Sequence, residues 1–308
     1  MRGTSSLHPV LGALLLSAVL AACTPEAEPP GNGEAPTSDL VFSFVVLADP
    51  HIAGPVAHVD RLNAAVAWVN AHLEERAIER VVVLGDIGWS GGLETARNSL
   101  DALAVPYVPV LGDNAVQVGD EQAFEETFAP RFAALSWELA AWNRAALPVW
   151  HDAVDGDAWL QNTRFEHSGV LFISQDWNAR GVSGALGEFG ELNDVAGGSW
   201  SWLESALTGA SERPRESIVL LSHVPMAPAV FDLAERERFA ALVSPFGDQI
   251  FANFGGHLHV DYEEEFVEAG YATYVTDATW DDEITLRLVE VWSDGLAMSY
   301  EQELIVVD

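Results

Sequence analysis

Five polar clusters each stand directly behind a short apolar run, and this pairing limits the fold more than any other feature of the chain. Val41 to Leu47 leads into Asp49-Pro50-His51, Arg80 to Leu84 into Gly85-Asp86, and Tyr107 to Leu111 into Gly112-Asp113-Asn114. Ser217 to Ser222 leads into His223, and Ile250 to Phe254 into Gly256-His257-Leu258-His259. Short runs rich in β-branched residues read as buried strands. Residues 58 to 76 follow a helical period, with Leu62, Val66, Val69 and Leu73 on one face, and 93 to 104 suit a second helix. This βαβαβ order predicts parallel strands joined by crossover helices, an α/β fold. Open α/β sheets place their sites outside the carboxyl ends of the strands. The clusters are therefore expected to converge, although they are scattered along the chain.

The remaining chain extends the same pattern. Residues 120 to 146 are helical in period and rich in Ala, Trp and Phe, so 116 to 165 reads as a helical insertion or cap over one end of the sheet. Val170 to Ser174 resumes a strand, and Trp200 to Leu207 and 232 to 243 read as helices. From 271 to 307 apolar and polar residues alternate, which predicts a half-solvated antiparallel sheet. The chain of 308 residues shows no internal repeat, and one domain over 40–308 accounts for it.

The start of the chain is of another kind. Arg2 precedes an apolar run from Val10 to Ala22 that is too short to span a bilayer comfortably. The run ends in Leu20-Ala21-Ala22-Cys23, which resembles the lipobox of bacterial lipoproteins and makes Cys23 the expected lipidation site. An ordinary signal peptide or a lone buried cysteine are the plainer readings. Cys23 is the only cysteine, so no intramolecular disulfide can form. Residues 1–23 thus read as a lipoprotein signal peptide, and 24–39, rich in Pro, Glu and Gly, as a disordered tether. This implies export and anchoring to the cell envelope through lipid. Thr24 lacks the acid associated with inner-membrane retention, which favours the outer membrane if the cell is Gram-negative.

The formal net charge is −33, from 47 acidic against 14 basic residues, and every basic residue is arginine. Such a surface repels nucleic acid and anionic lipid. An anionic substrate reaches it only where bound cations reverse the local field. A solvated acidic surface is the bland explanation of the charge, and the residues carry no signal for an oligomeric state.

Four of the nine histidines lie in the five clusters, alongside Asp49, Asp86 and Asp113. Neutral imidazole and carboxylate are the usual ligands of Zn, Fe and Mn. The order D-x-H, G-D, G-N-H-D/E, H, G-H-x-H is the signature of the calcineurin-like metallophosphoesterases, and this chain resembles it from residue 41 to about 280. The resemblance implies a four-layer α/β/β/α sandwich with mixed sheets. It implies a centre of two divalent or trivalent metal ions, Mn, Fe or Zn. Asp49, His51 and His259 would hold the first ion, His223, His257 and Asp113 the second, and Asp86 would bridge. A hydroxide between the metals would attack the phosphorus of a small-molecule phosphoester in line.

The third motif departs from the pattern. The family's asparagine is Asp113, its histidine is Asn114 and its acid is Ala115. Asp113 keeps an oxygen ligand but lowers the charge of a two-ion site from about +2 to about +1. Asn114 occupies the position of the general acid and cannot deliver a proton near neutral pH. Loss of such an acid typically costs about 10²- to 10⁴-fold in rate. Some family members that lack this histidine are similar in being active, mainly on phosphodiesters. Hydrolysis favouring diesters is the leading reading. A catalytically impaired relative, displayed as a lipid-anchored binding module, is the alternative. An amidohydrolase fits less well, because its H-x-H pair usually stands near the start of the chain.

Other residues carry plainer expectations. His58 and His72 read as surface or capping residues of the first helix. His151-Asp152 reads as a solvated loop, with a substitute acid as the sharper alternative. His167 has no partner in sequence, and Asp281-Asp282-Glu283 reads as a turn. The tryptophans read as packing, with Trp177-Asn178 as a candidate lining of the site mouth.

Overall fold

Alternation of side chains along the central strands explains the layering. In a strand, successive residues face opposite sides, and here both sides are apolar. A computed structural model describes residues 38–54, 58–180, 189–211, 217–266 and 269–307. The signal-peptide and lipidation region, including Cys23, and nearly all of the tether lie outside the described residues.

In chain order the elements are β1 (Asp39–Ala48), β2 (Ile52–Ala53), α1 (Val59–Ala71), β3 (Ile78–Leu84), β4 (Gly88–Trp89), α2 (Leu93–Leu100), β5 (Tyr107–Val110), α3 (Asp113–Val118) and α4 (Glu121–Glu138). Next come β6 (Ala140–Arg144), β7 (Val149–His151), β8 (Gly156–Ala158), β9 (Thr163–His167), β10 (Val170–Ser174) and α5 (Ser199–Ser211). The chain then runs through β11 (Ser217–Leu221), α6 (Leu233–Val243), β12 (Ile250–Gly255), β13 (Tyr262–Phe266), β14 (Tyr271–Val275), β15 (Ile284–Ser293) and β16 (Met298–Val307).

Two mixed sheets form the centre. One has the order β16-β15-β1-β3-β5, the other β13-β14-β12-β11-β10-β9-β6. Strands β1, β3 and β5 are parallel, as are β10, β11, β12 and β14. Between the sheets Phe44 meets Phe172 and Phe254 edge-on, with ring centroids 5.2 and 5.7 Å apart. The alternate residues of β10 and β11, Leu171, Ile173, Ile218 and Leu220, pack outward against Leu203, Leu207, Phe239 and Val243 of α5 and α6. On the other side α1 buries Leu62, Ala65, Val66 and Val69, the i, i+3, i+4, i+7 stripe of an amphipathic helix, and packs on α2 and β15. The result is the mixed-sheet α/β/β/α arrangement.

Two expectations change, and one strand was not foreseen. The stretch 116–165 is helical only as far as Glu138; beyond it β6 and β9 extend the edge of the second sheet, and β7 pairs with β8. The tail is not one antiparallel sheet: β15 and β16 pair antiparallel in the first sheet, while β14 joins the second, parallel to β12. Strand β13, Tyr-Glu-Glu-Glu-Phe, escapes the apolar-run criterion because it is an edge strand whose residues are largely exposed. Charged side chains are a common protection of such edges.

Candidate metal centre

Every motif residue sits where a central strand gives way to a turn. β1 delivers Asp49 and His51, β3 delivers Asp86, β5 delivers Asp113, β11 delivers His223, and β12 delivers His257 and His259. Backbone conformation makes the turns abrupt. Asp49, His51, Asp86, His257 and His259 all have positive φ, between 44° and 70°. Non-glycine residues avoid this region, and each such residue typically costs on the order of 1–3 kcal/mol. Strain of this kind persists only where surrounding structure over-determines it, here the paired strands on either side.

Close approach has its own requirement. A Cβ on Gly85, whose φ is +75°, would lie 2.1 Å from Nδ1 of His223. A Cβ on Gly112 would lie 1.9 Å from the backbone nitrogen of Asp86. The motif glycines therefore let the strand ends come together.

All seven candidate ligands converge. Asp49, His51 and His259 form one group, Asp113, His223 and His257 another, and Asp49, Asp86 and His223 a third that joins them. Within each group the ligand atoms lie within 4.8 Å of one another. Nε2 of His223 is 2.7 Å and Nδ1 of His257 is 3.0 Å from the same oxygen, Oδ1 of Asp113. Nδ1 of His223 donates to the carbonyl oxygen of Leu84 at 2.9 Å. A carbonyl can only accept, so the proton sits on Nδ1 and Nε2 is turned into the cluster, the usual support of a ligating histidine.

Asp49 is fully buried, and its Oδ1 has no hydrogen-bond partner. Around that oxygen stand His259 Nε2 at 3.4 Å and His51 Nε2 at 3.7 Å. Nε2 of His51 is likewise buried without a hydrogen bond. Leaving such groups unsatisfied is costly. Oxygen and imidazole donors spaced beyond hydrogen-bond length around a common point fit a cation. The cluster is shallowest at His259, whose side chain is 30% exposed.

Charge binds the cluster together. Burial opposes protonation of His51, but the carboxylates of Asp49 and Asp86 pull its pKa up to about 9. Burial likewise opposes protonation of His223, yet Asp86, Asp113 and Asp49 raise it to about 10. Burial pushes Asp49 and Asp113 up, but the facing imidazoles outweigh it and hold both below the usual carboxylate range.

Asn114 does not stand free. Its backbone N–H donates to Oδ1 of Asp86 at 2.9 Å, and its side-chain amide donates to Oδ2 of Asp86. Two tryptophans expected only to pack flank His51. Trp280 stacks on it at 5.2 Å and Trp89 meets it edge-on at 5.0 Å. The guanidinium of Arg61 donates to the backbone oxygens of Asp281 and Asp282, which ties the Trp280 turn to α1. Nothing in the spacing of Trp89 or Trp280 marks them, because their position depends on turns from different parts of the chain.

The other candidates lie elsewhere. Trp177 is fully buried between Phe231 and Phe239, so it is core and not mouth. Asn178 is buried too and donates to the carbonyl of Leu111, bracing the approach to the third motif. His151 lies in β7, buried rather than solvated, 3.9 Å from Glu191. His58 rests on Trp280 at 5.1 Å, and His72 stacks on Trp68 at the end of α1. His167 does have partners, Glu79 and Arg80, from the other sheet.

The carboxylate–imidazole cluster converges at the strand ends of a mixed α/β/β/α sandwich, the fold of the calcineurin-like phosphoesterases. The sequence profile of the calcineurin-like phosphoesterases matches residues 42–261, and the chain belongs to that family. No curated protein matches it in sequence. Among solved structures it is similar to a protein assigned as a 5'-nucleotidase from Staphylococcus aureus, solved in complex with alpha-ketoglutarate, at 15% identity and a TM-score of 0.52. The match covers 86% of this chain and 54% of that one, so this chain spans about half of that protein's length. TT1561 of Thermus thermophilus is 10% identical, with a TM-score of 0.46 and coverage of 87% of this chain and 100% of that one. GAP50 of Plasmodium, the anchor in the inner membrane complex, is 13% identical, with a TM-score of 0.47 and coverage of 88% and 90%. At 15% identity the likeness to the first of these is one of fold alone.

Proposed function

We propose that the chain is a phosphoester hydrolase with a dinuclear metal centre, favouring phosphodiesters or substrates with good leaving groups over alkyl phosphate monoesters. The observation that carries this reading is the buried, unpartnered Oδ1 of Asp49 facing the Nε2 atoms of His51 and His259. Asp49, His51 and His259 hold one ion, Asp113, His223 and His257 the other, and Asp86 lies between them. Bound divalent cations supply Lewis acidity there, lowering the pKa of water and neutralising phosphoryl oxygens. In a chain of net charge −33, that positive spot is also what draws an anionic ester.

The chain's own groups set the preference. Asn114 commits its amide to Asp86, and Ala115 offers no polar atom, so the third motif presents no proton donor to a departing alkoxide. Loss of general acid catalysis costs most when the leaving group is a poor one. The stack of Trp280 on His51, with Trp89 at its edge, holds that imidazole in place and shields it from water. The lipobox-like segment ending at Cys23 supports a lipid tether for this domain at the cell envelope.

The test is turnover of an activated phosphodiester and of an alkyl phosphate monoester by the full chain in detergent, loaded in turn with Mn, Zn or Fe. Asp86→Ala serves as control. The expected result is metal-dependent turnover faster on the diester and abolished in the variant. Equal or faster turnover of the alkyl monoester would overturn the leaving-group preference. Stoichiometric metal uptake with no turnover of either ester would favour the second reading, a lipid-anchored binding module, which the missing donor at 114 and 115 supports.

A further inference from the structure

We infer that Asn114 and Gln117 are positioning residues that make the altered third motif a clamp on two carboxylates of the metal centre, Asp86 and Asp113. The inference rests on the metal-centre reading above and adds the residues that orient its ligands. Asp113 opens α3, and Gln117 follows one turn later, so the two share a helix face. Nε2 of Gln117 donates to Oδ2 of Asp113 at 2.6 Å. The other oxygen, Oδ1, is the one that faces both His223 and His257. Gln117 thereby sorts the two oxygens: one is held by the protein, and one is left to a cation.

A carboxylate needs this sorting where an amide would not. Its two oxygens are equivalent acceptors, and a free Oδ2 would compete for the ion or stay buried without a donor. The donor at 117 thus matches the carboxylate at 113.

Asn114 does the corresponding work on Asp86. Its main-chain and side-chain N–H groups each take one oxygen of that carboxylate. The same oxygens face His51 at 3.3 Å and His223 at 3.7 Å on the two sides of the cluster. A side chain as short as asparagine folds back onto the residue that the two ligand groups share. Its amide is thereby spent on orientation and is not turned outward to a substrate.

Loss of a partner that orients a metal ligand typically costs about 10- to 100-fold in metal affinity. The experiment strips the full chain of metal in detergent and titrates Mn2+ and Zn2+ by calorimetry, with the visible spectrum of Co2+ as a second readout. Gln117→Met is expected to weaken one of two sites by about 10- to 100-fold and leave the other within about twofold. Its Co2+ absorption should fall, because Asp113 becomes free to offer both oxygens and raise the coordination number. Gln117→Lys, which keeps a donor, should restore both readouts, and Gln117→Glu, of equal length without one, should not. Asn114→Ala should weaken both sites together, because Asp86 is shared. Wild-type affinities and spectrum in the Met and Ala variants would overturn the clamp. The Lys and Glu pair gives the same decision if Gln117→Met fails to fold. A wild-type chain that takes up no metal would instead overturn the metal-centre reading beneath it. Uptake of two ions with unaffected variants would overturn the clamp alone.

Discussion

His51 and His223 carry protons in the metal-free protein that the unfolded chain would release. Their pKa values of about 9 and about 10 lie above the ordinary 6.5. A folded-state pKa above the unfolded one contributes stability that is complete below the unfolded value and is lost as pH rises through the folded value. The chelated protein is therefore expected to lose melting temperature steadily from about pH 6.5 to about pH 10. Asp49 and Asp113 work in the opposite sense: held below 3.8, they contribute above that value and fail only on stronger acidification. No lysine titrates near the upper end of this range to obscure the trend, since all basic residues are arginine. Bound cations displace those protons, so the metal-loaded protein should show a flatter profile. Thermal scans with and without chelator across this range decide it, and a flat chelated profile above pH 6.5 would remove the argument. At this scale the ligand types were legible because aspartate and histidine cluster after apolar runs. The role of Gln117 was not, because a glutamine one turn beyond an aspartate is commonplace until His223 and His257 are seen on the other oxygen.

Helix α4 shows how an element can carry a local fault without losing its place. Phe124, Phe128, Phe132 and Leu135 form its buried stripe, and Arg144 lies over the ring of Phe132 at 3.7 Å. Pro130 sits inside the helix on its exposed side. It removes one backbone hydrogen bond and crowds the carbonyl of the preceding turn. The buried aromatics hold the helix regardless, which is tertiary packing overriding propensity. Replacement Pro130→Ala is expected to raise stability by about 1–2 kcal/mol, the gain in helix propensity being partly offset by a more flexible unfolded chain. Turnover should be unchanged. Urea unfolding measures the difference, and a loss of stability would mean that the proline is needed for the fit of α4 on β5 and β6. Elements with strong periodicity, such as α1 and β10, were readable from residue pattern alone. Strand β13 and the β6–β9 edge were not, because edge strands bury little and their pairing is decided by neighbours far away in sequence.

Charge acts on the whole molecule, as the proposed lipid tether would. A net charge of −33 keeps the chain off anionic surfaces, so the proposed hold on a membrane rests on acyl chains and not on basic patches. The wild-type chain is expected in the membrane pellet in both low and high salt, and Cys23→Ser in the supernatant. Release of the wild-type chain by salt alone would argue for an electrostatic contact and against lipidation. Among the described residues no helix is long and apolar enough to cross a membrane.

Pattern along the chain determined the parallel core, the five strand ends and the identity of the seven residues that meet there. These follow from local chemistry: β-branched runs bury, helical stripes cover them, and polar groups collect where the strands stop. Tertiary structure alone decided what each of those residues faces. It turned Asn114 inward onto Asp86, set Gln117 against Asp113, brought Trp89 and Trp280 to His51, and buried Trp177 and His151. The physical reason is that side-chain direction in a turn depends on the signs of φ and on close approach at glycines such as Gly85 and Gly112. Both are fixed only when the strands on either side have paired.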